Sequence, residues 1–235
     1  MLTWVEPDQP LPPPESARDE PNGLIAAGRD LSAKRLLEAY SQGIFPWYSQ
    51  GQPVLWWSPD PRMVVFIDEF APSRSLRKTL RRVDLTGAWT VTLDQAFVQV
   101  MQACAALRSG QDGTWITRDI IKAYHALHQA GHAHSVEVWA DGALIGGLYG
   151  VSIGRMFFGE SMFARVSDAS KCAYVALIGM LRRLGFSMVD CQQSTGHLAS
   201  LGAREITRSQ FLVHMNRLCA LPEPDWKNAG IDWPV

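Results

Sequence analysis

A carboxylate set among large apolar side chains needs a reason. Glu160 is such a group: in Phe158-Gly159-Glu160-Ser161-Met162 it alternates with Phe158 and Met162, and a strand would put these three on one sheet face. Further on, Ser187 to Gln192 reads as a second strand, with Met188, Asp190 and Gln192 pointing one way and Val189 and Cys191 the other. On that reading Asp190 and Gln192 are neighbours about 7 Å apart. An amide beside a carboxylate can hold an incoming amine and accept charge from it. The plainer readings stand beside this one. A lone Glu in a strand is usually an edge or surface residue, and an Asp at a strand end often caps a turn.

A second group of residues suits phosphates. Arg74, Arg77, Lys78, Arg81 and Arg82 recur at i, i+3, i+4, i+7 and i+8, so a helix carries all five on one face and Leu76, Leu80 and Val83 on the other. Charge runs are usually solvated faces of mixed sign. Five cations without an acid are less usual on a chain of formal net charge −1, where any nucleic-acid binding must come from a local patch. Four histidines, His125, His128, His132 and His134, lie close in sequence. Gly131 divides them between helix and strand and no cysteine pair accompanies them, so no metal site is expected. Gly159-Glu160-Ser161 lacks the second glycine of a nucleophile elbow, and neither GxGxxG nor a P-loop occurs.

These groups need elements to position them. At 235 residues and 47% apolar content the chain fits one large domain, or a small and a medium one. Residues 4–22 are proline-rich and read as extended. A helix starting near Ser32, with Leu36, Leu37 and Tyr40 on its apolar face, stops at Gly43. Residues 43–62 are dense in glycine, proline and aromatics and too few to bury themselves. They predict a small N-terminal α/β domain, 1–62, packed on a larger one, 63–235, with Pro59-Asp60-Pro61 as the link. In the larger part, strands are predicted at Met63–Ile67 and Thr90–Leu93. A helix capped by Asp94 turns Phe97, Val100, Met101, Cys104 and Leu107 inward, Gly113–Ile116 presents Trp115 at a turn, and Thr117 caps the next helix. Strands Ala133–Trp139 and Ala143–Tyr149 meet at Asp141-Gly142, a strong hairpin signal. Ser167 or Asp168 caps a helix bearing Ala173, Leu177, Met180, Leu181 and Leu184, and Gly185 ends it. After Leu221 the tail reads as extended. The four cysteines lie far apart, as buried thiols in a reducing compartment do. No signal peptide opens the chain and no apolar run reaches membrane-spanning length, so a soluble cytoplasmic protein is expected.

The order of hairpin, central strand, loop, helix, strand and short helix resembles the acetyl-CoA N-acetyltransferase fold. In that fold a glycine-rich loop cradles the CoA pyrophosphate. Here that loop, residues 164–171, has no glycine, so the acyl donor is expected to be something other than CoA. At this point the resemblance becomes specific. GIFPWY (43–48), LWWSPDPR (55–62), SRSLRK (73–78), GTWI (113–116), AHSVEVW (133–139), GGLYG (146–150), FGESMF (158–163), ASK (169–171), DCQ (190–192) and SLGA (200–203) occur in the order found in the leucyl/phenylalanyl-tRNA–protein transferases. They run from Pro21 to about Phe211. One departure is Gly28-Arg29-Asp30, where the family usually has two glycines before the Asp.

The resemblance implies an α+β fold whose C-terminal domain is N-acetyltransferase-like, with a mixed, mostly antiparallel sheet flanked by helices. It implies an aminoacyltransferase that moves Leu or Phe, with Met as a secondary donor, from charged tRNA to the α-amino group of proteins beginning with Arg or Lys, creating a degradation signal. No cofactor, membrane or DNA is implied, and a monomer is expected. Asp190 and Gln192 fall at the reacting centre, with Glu160 binding the acceptor's cationic first residue or its amine. Asp190 is read as orienting Gln192 or taking up its proton. Trp47 and Trp115 are candidates to stack on the terminal adenosine or wall the aminoacyl pocket, and Tyr40, Leu148, Phe157 and Met162 to line it. Phe157 and Met162 differ in parity, so both reach one pocket only if the strand is bulged near Gly159. The Arg74–Arg82 face meets tRNA phosphates without reading sequence. Two other readings remain open: a peptidoglycan-type ligase that uses aminoacyl-tRNA, and a non-catalytic module that binds protein N-termini.

Overall fold

The computed structural model describes residues 1–106 and 114–234, so Leu107 and Gly113 lie outside the described residues. The chain begins with β1 (Thr3–Val5), β2 (Leu24–Gly28), α1 (Ala33–Ser41), β3 (Phe45–Pro46) and β4 (Val54–Trp57). These four strands form one sheet in the order β1-β2-β4-β3. Then come β5 (Arg62–Phe66), α2 (Arg74–Thr86), β6 (Thr90–Leu93), α3 (Phe97–Ala106), α4 (Arg118–Gln129), β7 (Ala133–Ala140), β8 (Ala143–Ile153), β9 (Met156–Ala164), α5 (Ala169–Arg183), β10 (Met188–Asp190), α6 (Gly196–Ser200), β11 (Arg204–Ile206) and α7 (Arg208–Cys219). Their strands make a seven-stranded sheet ordered β11-β5-β10-β9-β8-β7-β6. Among the described residues only β9 and β10 run parallel in it. The fold is α+β with a mixed, mostly antiparallel sheet, as expected. Among the described residues no helix is long and apolar enough to cross a membrane.

Two apolar cores sandwich the large sheet. One joins α1, α3, α4 and α7, through Leu36, Phe97, Leu127 and Phe211, to Val5, Leu24 and Trp56 of the N-terminal sheet. The other joins α2 and α5, through Leu76, Leu80, Ala173 and Leu177, to Val138, Phe157 and Val189. The period-3.6 pattern of α2 buries Leu76, Leu80 and Val83 as predicted, and Ser73 caps it by accepting the Leu76 amide. Thr117 caps α4 in the same way. At Asp141-Gly142 both φ angles are positive, 49° and 73°, the condition a two-residue turn of matching twist imposes.

Four local expectations differ from the fold. Asp94 does not cap α3. It sits at φ 59°, and its carboxylate accepts from the Ser135 amide at 2.8 Å and contacts His134 Nδ1 at 2.7 Å. Buried Glu137 on β7 instead ties down the approach to α3, accepting the Gln95 and Ala96 amides at 3.4 and 3.3 Å. Asp168 precedes α5 but bonds Lys171 Nζ (2.9 Å) and Thr79 Oγ1 (3.0 Å), tying α5 to α2 rather than capping. The strand expected over Ser187–Gln192 ends at Asp190, because Gln192 turns into the left-handed region at φ 57°. The C-terminal tail is not wholly extended either: residues 226–228 make a 3-10 turn that buries Trp226 against the His134 ring, centroids 3.7 Å apart.

The feature that positions the site is an irregularity between β8 and β9. Tyr149 pairs with Ser161 and Gly150 with Gly159, so Glu160 is the extra residue of a bulge. Gly150 makes the bulge possible. A Cβ there would overlap the Phe158 carbonyl oxygen and lie 2.5 Å from a Phe157 ring carbon. Gly150→Ala should therefore cost about 1–3 kcal/mol of stability, the range for forced overpacking, measured by urea unfolding. An unchanged midpoint would mean that β8 and β9 adjust without strain.

Candidate functional site

The bulge turns the extra residue toward the helices packed on the N-terminal side of the sheet. Tyr40 of α1 donates its hydroxyl to Glu160 Oε1 at 2.6 Å, and Tyr124 of α4 donates to Oε2 at 3.3 Å. The two tyrosine oxygens are 2.5 Å apart. Both tyrosines are buried on the apolar faces of their helices, which fixes the donors before any ligand arrives. On the remaining side Gln192 Nε2 lies 3.4 Å from Glu160 Oε1. With its nitrogen directed at Glu160, Gln192 offers its amide oxygen as an acceptor.

Gln192 is held from below. Its backbone N–H donates to Asp190 Oδ1 at 3.0 Å. Asp190 has no exposed surface and is gripped by Arg62, whose Nε and Nη2 donate to its two oxygens at 2.8 and 2.7 Å. Arg62 is itself fully buried. Its Nη1 donates to the Gly43 carbonyl at 3.0 Å, and its guanidinium lies over the Phe45 and Phe211 rings at 5.0 and 4.3 Å. The pair bolts β5 to the end of β10 and links both to the loop after α1.

The electrostatics separate the two acids. Burial pushes the Glu160 carboxyl up to about 7 and the nearby Asp190 charge adds to the rise, against the Tyr40 and Tyr124 hydroxyls and Arg62. Glu160 also keeps part of its surface open. A carboxyl of that kind changes charge near neutral pH and can hold an ammonium or take up its proton. Burial and the adjacent Glu160 push both tyrosines well above the usual phenol range, so they remain donors.

The predicted residues divide accordingly. Glu160, Gln192 and Asp190 do come together, and Asp190 has both oxygens committed to Arg62 and meets no solvent. The expected shared strand face of Asp190 and Gln192 is broken by the turn at Gln192. Tyr40 has no exposed surface with which to wall a pocket, and acts on Glu160 instead. The bulge does put Leu148, Phe157 and Met162 on one face. It also separates Met162 from Phe158 and Glu160, which had been expected to share a face. Leu148 and Phe157 are buried, so only Met162, which meets His197 Nε2 at 3.5 Å, is open. Trp47 and Trp115 come together along one broad cleft of about 1480 Å³, with Leu55, Trp57 and Arg118. Trp47 stands edge-on to Trp57 at 5.7 Å. The five α2 cations are all exposed, and among the described residues none of them forms an ion pair.

Arg62 and Tyr124 were not singled out from the sequence. Arg62 had a signal: it is a cation opening the apolar strand Met63-Val64-Val65-Phe66, and Asp190 ends a short apolar strand that has no cation of its own. Tyr124 had only its place on an apolar helix face.

With this geometry in view, the similarities are direct. The family model described as Leucyl/phenylalanyl-tRNA protein transferase matches residues 64–216, and that of its N-terminal domain matches residues 29–60. The chain is 56% identical to the leucyl/phenylalanyl-tRNA–protein transferase of Bordetella petrii, over 98% of this chain and 93% of that protein. It is 57% identical to the one of Paraburkholderia phytofirmans, over 97% and 94% respectively. Among solved structures, the crystal structure of FemX has a TM-score of 0.49 and 12% identity, over 72% of this chain and 65% of that one, a likeness too slight to bear on function.

Proposed function

The chain belongs to the leucyl/phenylalanyl-tRNA–protein transferase family, and we propose that it carries out the family's aminoacyl transfer at Glu160 and Gln192, onto proteins whose first residue is Arg or Lys. It is an aminoacyltransferase acting between aminoacyl-tRNA and protein N-termini. The acceptor's α-amine attacks the ester carbonyl carbon. The C–N peptide bond forms, the C–O bond to the ribose breaks, and the ribose oxygen leaves with a proton. An aminoacyl ester is already activated, and an α-amine with pKa near 8 is partly neutral at pH 7. Most of the acceleration then comes from positioning. The single observation that carries the site is the half-buried carboxyl of Glu160, near 7, with the Gln192 amide beside it.

In this reading the Gln192 oxygen accepts from the attacking amine and Glu160 takes the proton that the amine sheds. Asp190, held by Arg62, orients Gln192 through its backbone N–H. Trp47 and Trp115 offer flat apolar faces to the terminal adenosine or the aminoacyl side chain. An apolar pocket separates side chains by about 1–3 kcal/mol per methylene, so Leu and Phe are the expected donors, Met a weaker one, and β-branched Ile and Val poor ones. The product is a protein newly marked for degradation, made in the cytoplasm by a monomer.

The test is single-turnover transfer from radiolabelled Leu-tRNA to proteins beginning with Arg, Lys or Gly, without ATP or CoA. Label moving to the first two alone supports the assignment. Label on none, with tRNA still bound, would reject this acceptor class and favour a peptidoglycan-type acceptor. A second expected result concerns α2. Replacing Arg77 and Lys78 by Gln should weaken tRNA binding and lower the slope of log affinity against log salt by roughly 1.5, the value for two phosphate contacts. An unchanged slope would remove α2 from RNA binding.

A further inference from the structure

A second groove runs beside the basic face of α2, between α2 and α5. It encloses about 550 Å³. Arg77 and Arg81 line both this groove and the outer hollow of α2, so the two surfaces are continuous. Arg182 and Arg183, at the end of α5, form the opposite wall, and both side chains are about half exposed. Arginines therefore face each other across a floor of small and apolar residues.

Two details of the groove point to a ligand. The first is Gly179, in the middle of α5. Glycine is the poorest helix former after proline, and at most buried positions close packing excuses it. Here a Cβ would meet nothing within 4 Å, so internal packing gives no reason for it. What the glycine does is leave the floor clear. The second is the tail. Trp233 donates its indole N–H to the Leu80 carbonyl at 3.2 Å and stands edge-on to Trp89. This anchors Asp232, whose carboxylate reaches Arg183 Nη2 at 3.2 Å. An exposed acid thus occupies the anion position of the groove, and being exposed it is readily exchanged.

We propose that the groove takes a further stretch of the RNA backbone bound on α2, its phosphates passing from Arg77 and Arg81 across Gly179 to Arg183 and displacing Asp232. The inference rests on the reading that α2 binds tRNA. RNA rather than an acidic protein is the occupant because the groove continues the α2 surface and presents planar guanidinium groups on both walls, an arrangement suited to successive phosphates.

The test uses the full chain and unacylated tRNA, with affinity followed by fluorescence anisotropy over a salt series. Lys78→Gln, which lies in the outer hollow only, is the control for α2. Arg183→Gln should weaken binding about 3- to 5-fold and lower the salt slope by about 0.7–0.9, one phosphate. Gly179→Gln, uncharged and compatible with a helix, should weaken binding by a similar factor through bulk. Asp232→Ala should tighten it about 2-fold. Wild-type affinity in the Arg183 and Gly179 variants, with loss in Lys78→Gln, would overturn the groove and leave α2 standing. Unchanged tRNA affinity with a raised KM for the acceptor protein would overturn it in favour of the acceptor. If Lys78→Gln is also without effect while wild-type transfer proceeds, the α2 reading and this one fall together, and the family assignment does not.

Discussion

Glu160→Gln should lower kcat for transfer about 10²- to 10³-fold, the lower part of the range for loss of a general base, and should make the protein more stable at neutral pH. Both effects have one cause. In the folded chain the Glu160 carboxyl is raised from about 4.5 to about 7, chiefly by burial. The native state therefore binds this proton more tightly than the unfolded state does. Its contribution to stability is greatest below about pH 4.5, falls as pH rises through about 7, and is level above that. The full shift is worth roughly 3 kcal/mol, and because Glu160 is partly open to solvent the realised loss should be about 1–2 kcal/mol. The Gln variant has no such loss. Urea unfolding at pH 4.5, 6 and 8 should show the wild type weakening relative to the variant as pH rises, with no divergence at the acid end. Transfer should show the complementary limb: the wild-type rate climbs across pH 6–8 as Glu160 ionises, and the variant keeps only the rise belonging to the acceptor amine. A variant whose pH profile matches the wild type would remove Glu160 from proton transfer.

The buried Arg62–Asp190 pair gives the second large effect. Arg62→Met should cost about 3–5 kcal/mol, because it strands a carboxylate with no access to water. A double variant, Arg62→Met with Asp190→Leu, should recover most of that loss, since an apolar pair of similar volume is often neutral or better. Transfer should not recover with it. Gln192 sits at φ 57°, a conformation that non-glycine residues adopt reluctantly, and the Asp190 carboxylate holds its backbone N–H there. Without that bond Gln192 is free to follow the ordinary course of the strand and carry its amide away from Glu160. The expected signature is a stable double variant with low kcat and little change in tRNA affinity. A double variant that regains both stability and kcat would reduce the pair to a structural bolt.

The residues that were legible from the sequence obey rules of short range. The cations of α2 and its buried Leu76, Leu80 and Val83 are settled by a 3.6-residue period within one element. Asp141-Gly142 meets the positive φ that a two-residue hairpin turn needs, and Thr117 has the side chain that caps a helix. Even the bulge at Glu160 was foreshadowed, because Phe157 and Met162 could not otherwise face the same way. The family motifs added the identity of the site, in that Glu160, Asp190 and Gln192 fell within them.

The roles of those three were not legible, because each is set by a partner far along the chain. Asp190 reads equally as orienting Gln192 or as taking up its proton until Arg62 is seen to hold both its oxygens, across 128 positions of sequence. Tyr40 reads as a pocket aromatic until its hydroxyl is found on Glu160, across 120 positions. Asp94 and Asp168 read as helix caps, yet distant backbone and side-chain groups compete for their oxygens more effectively than the local amides. The sequence by itself determined helices α1, α2, α4 and α5, the hairpin of β7 and β8, which helix face is basic, and to which family the chain belongs, since these follow from local periodicity and from motif order. Only the tertiary structure decided which acid is gripped by a buried arginine and which is raised toward neutral pH by burial, because desolvation and charge pairing depend on what surrounds a group in space.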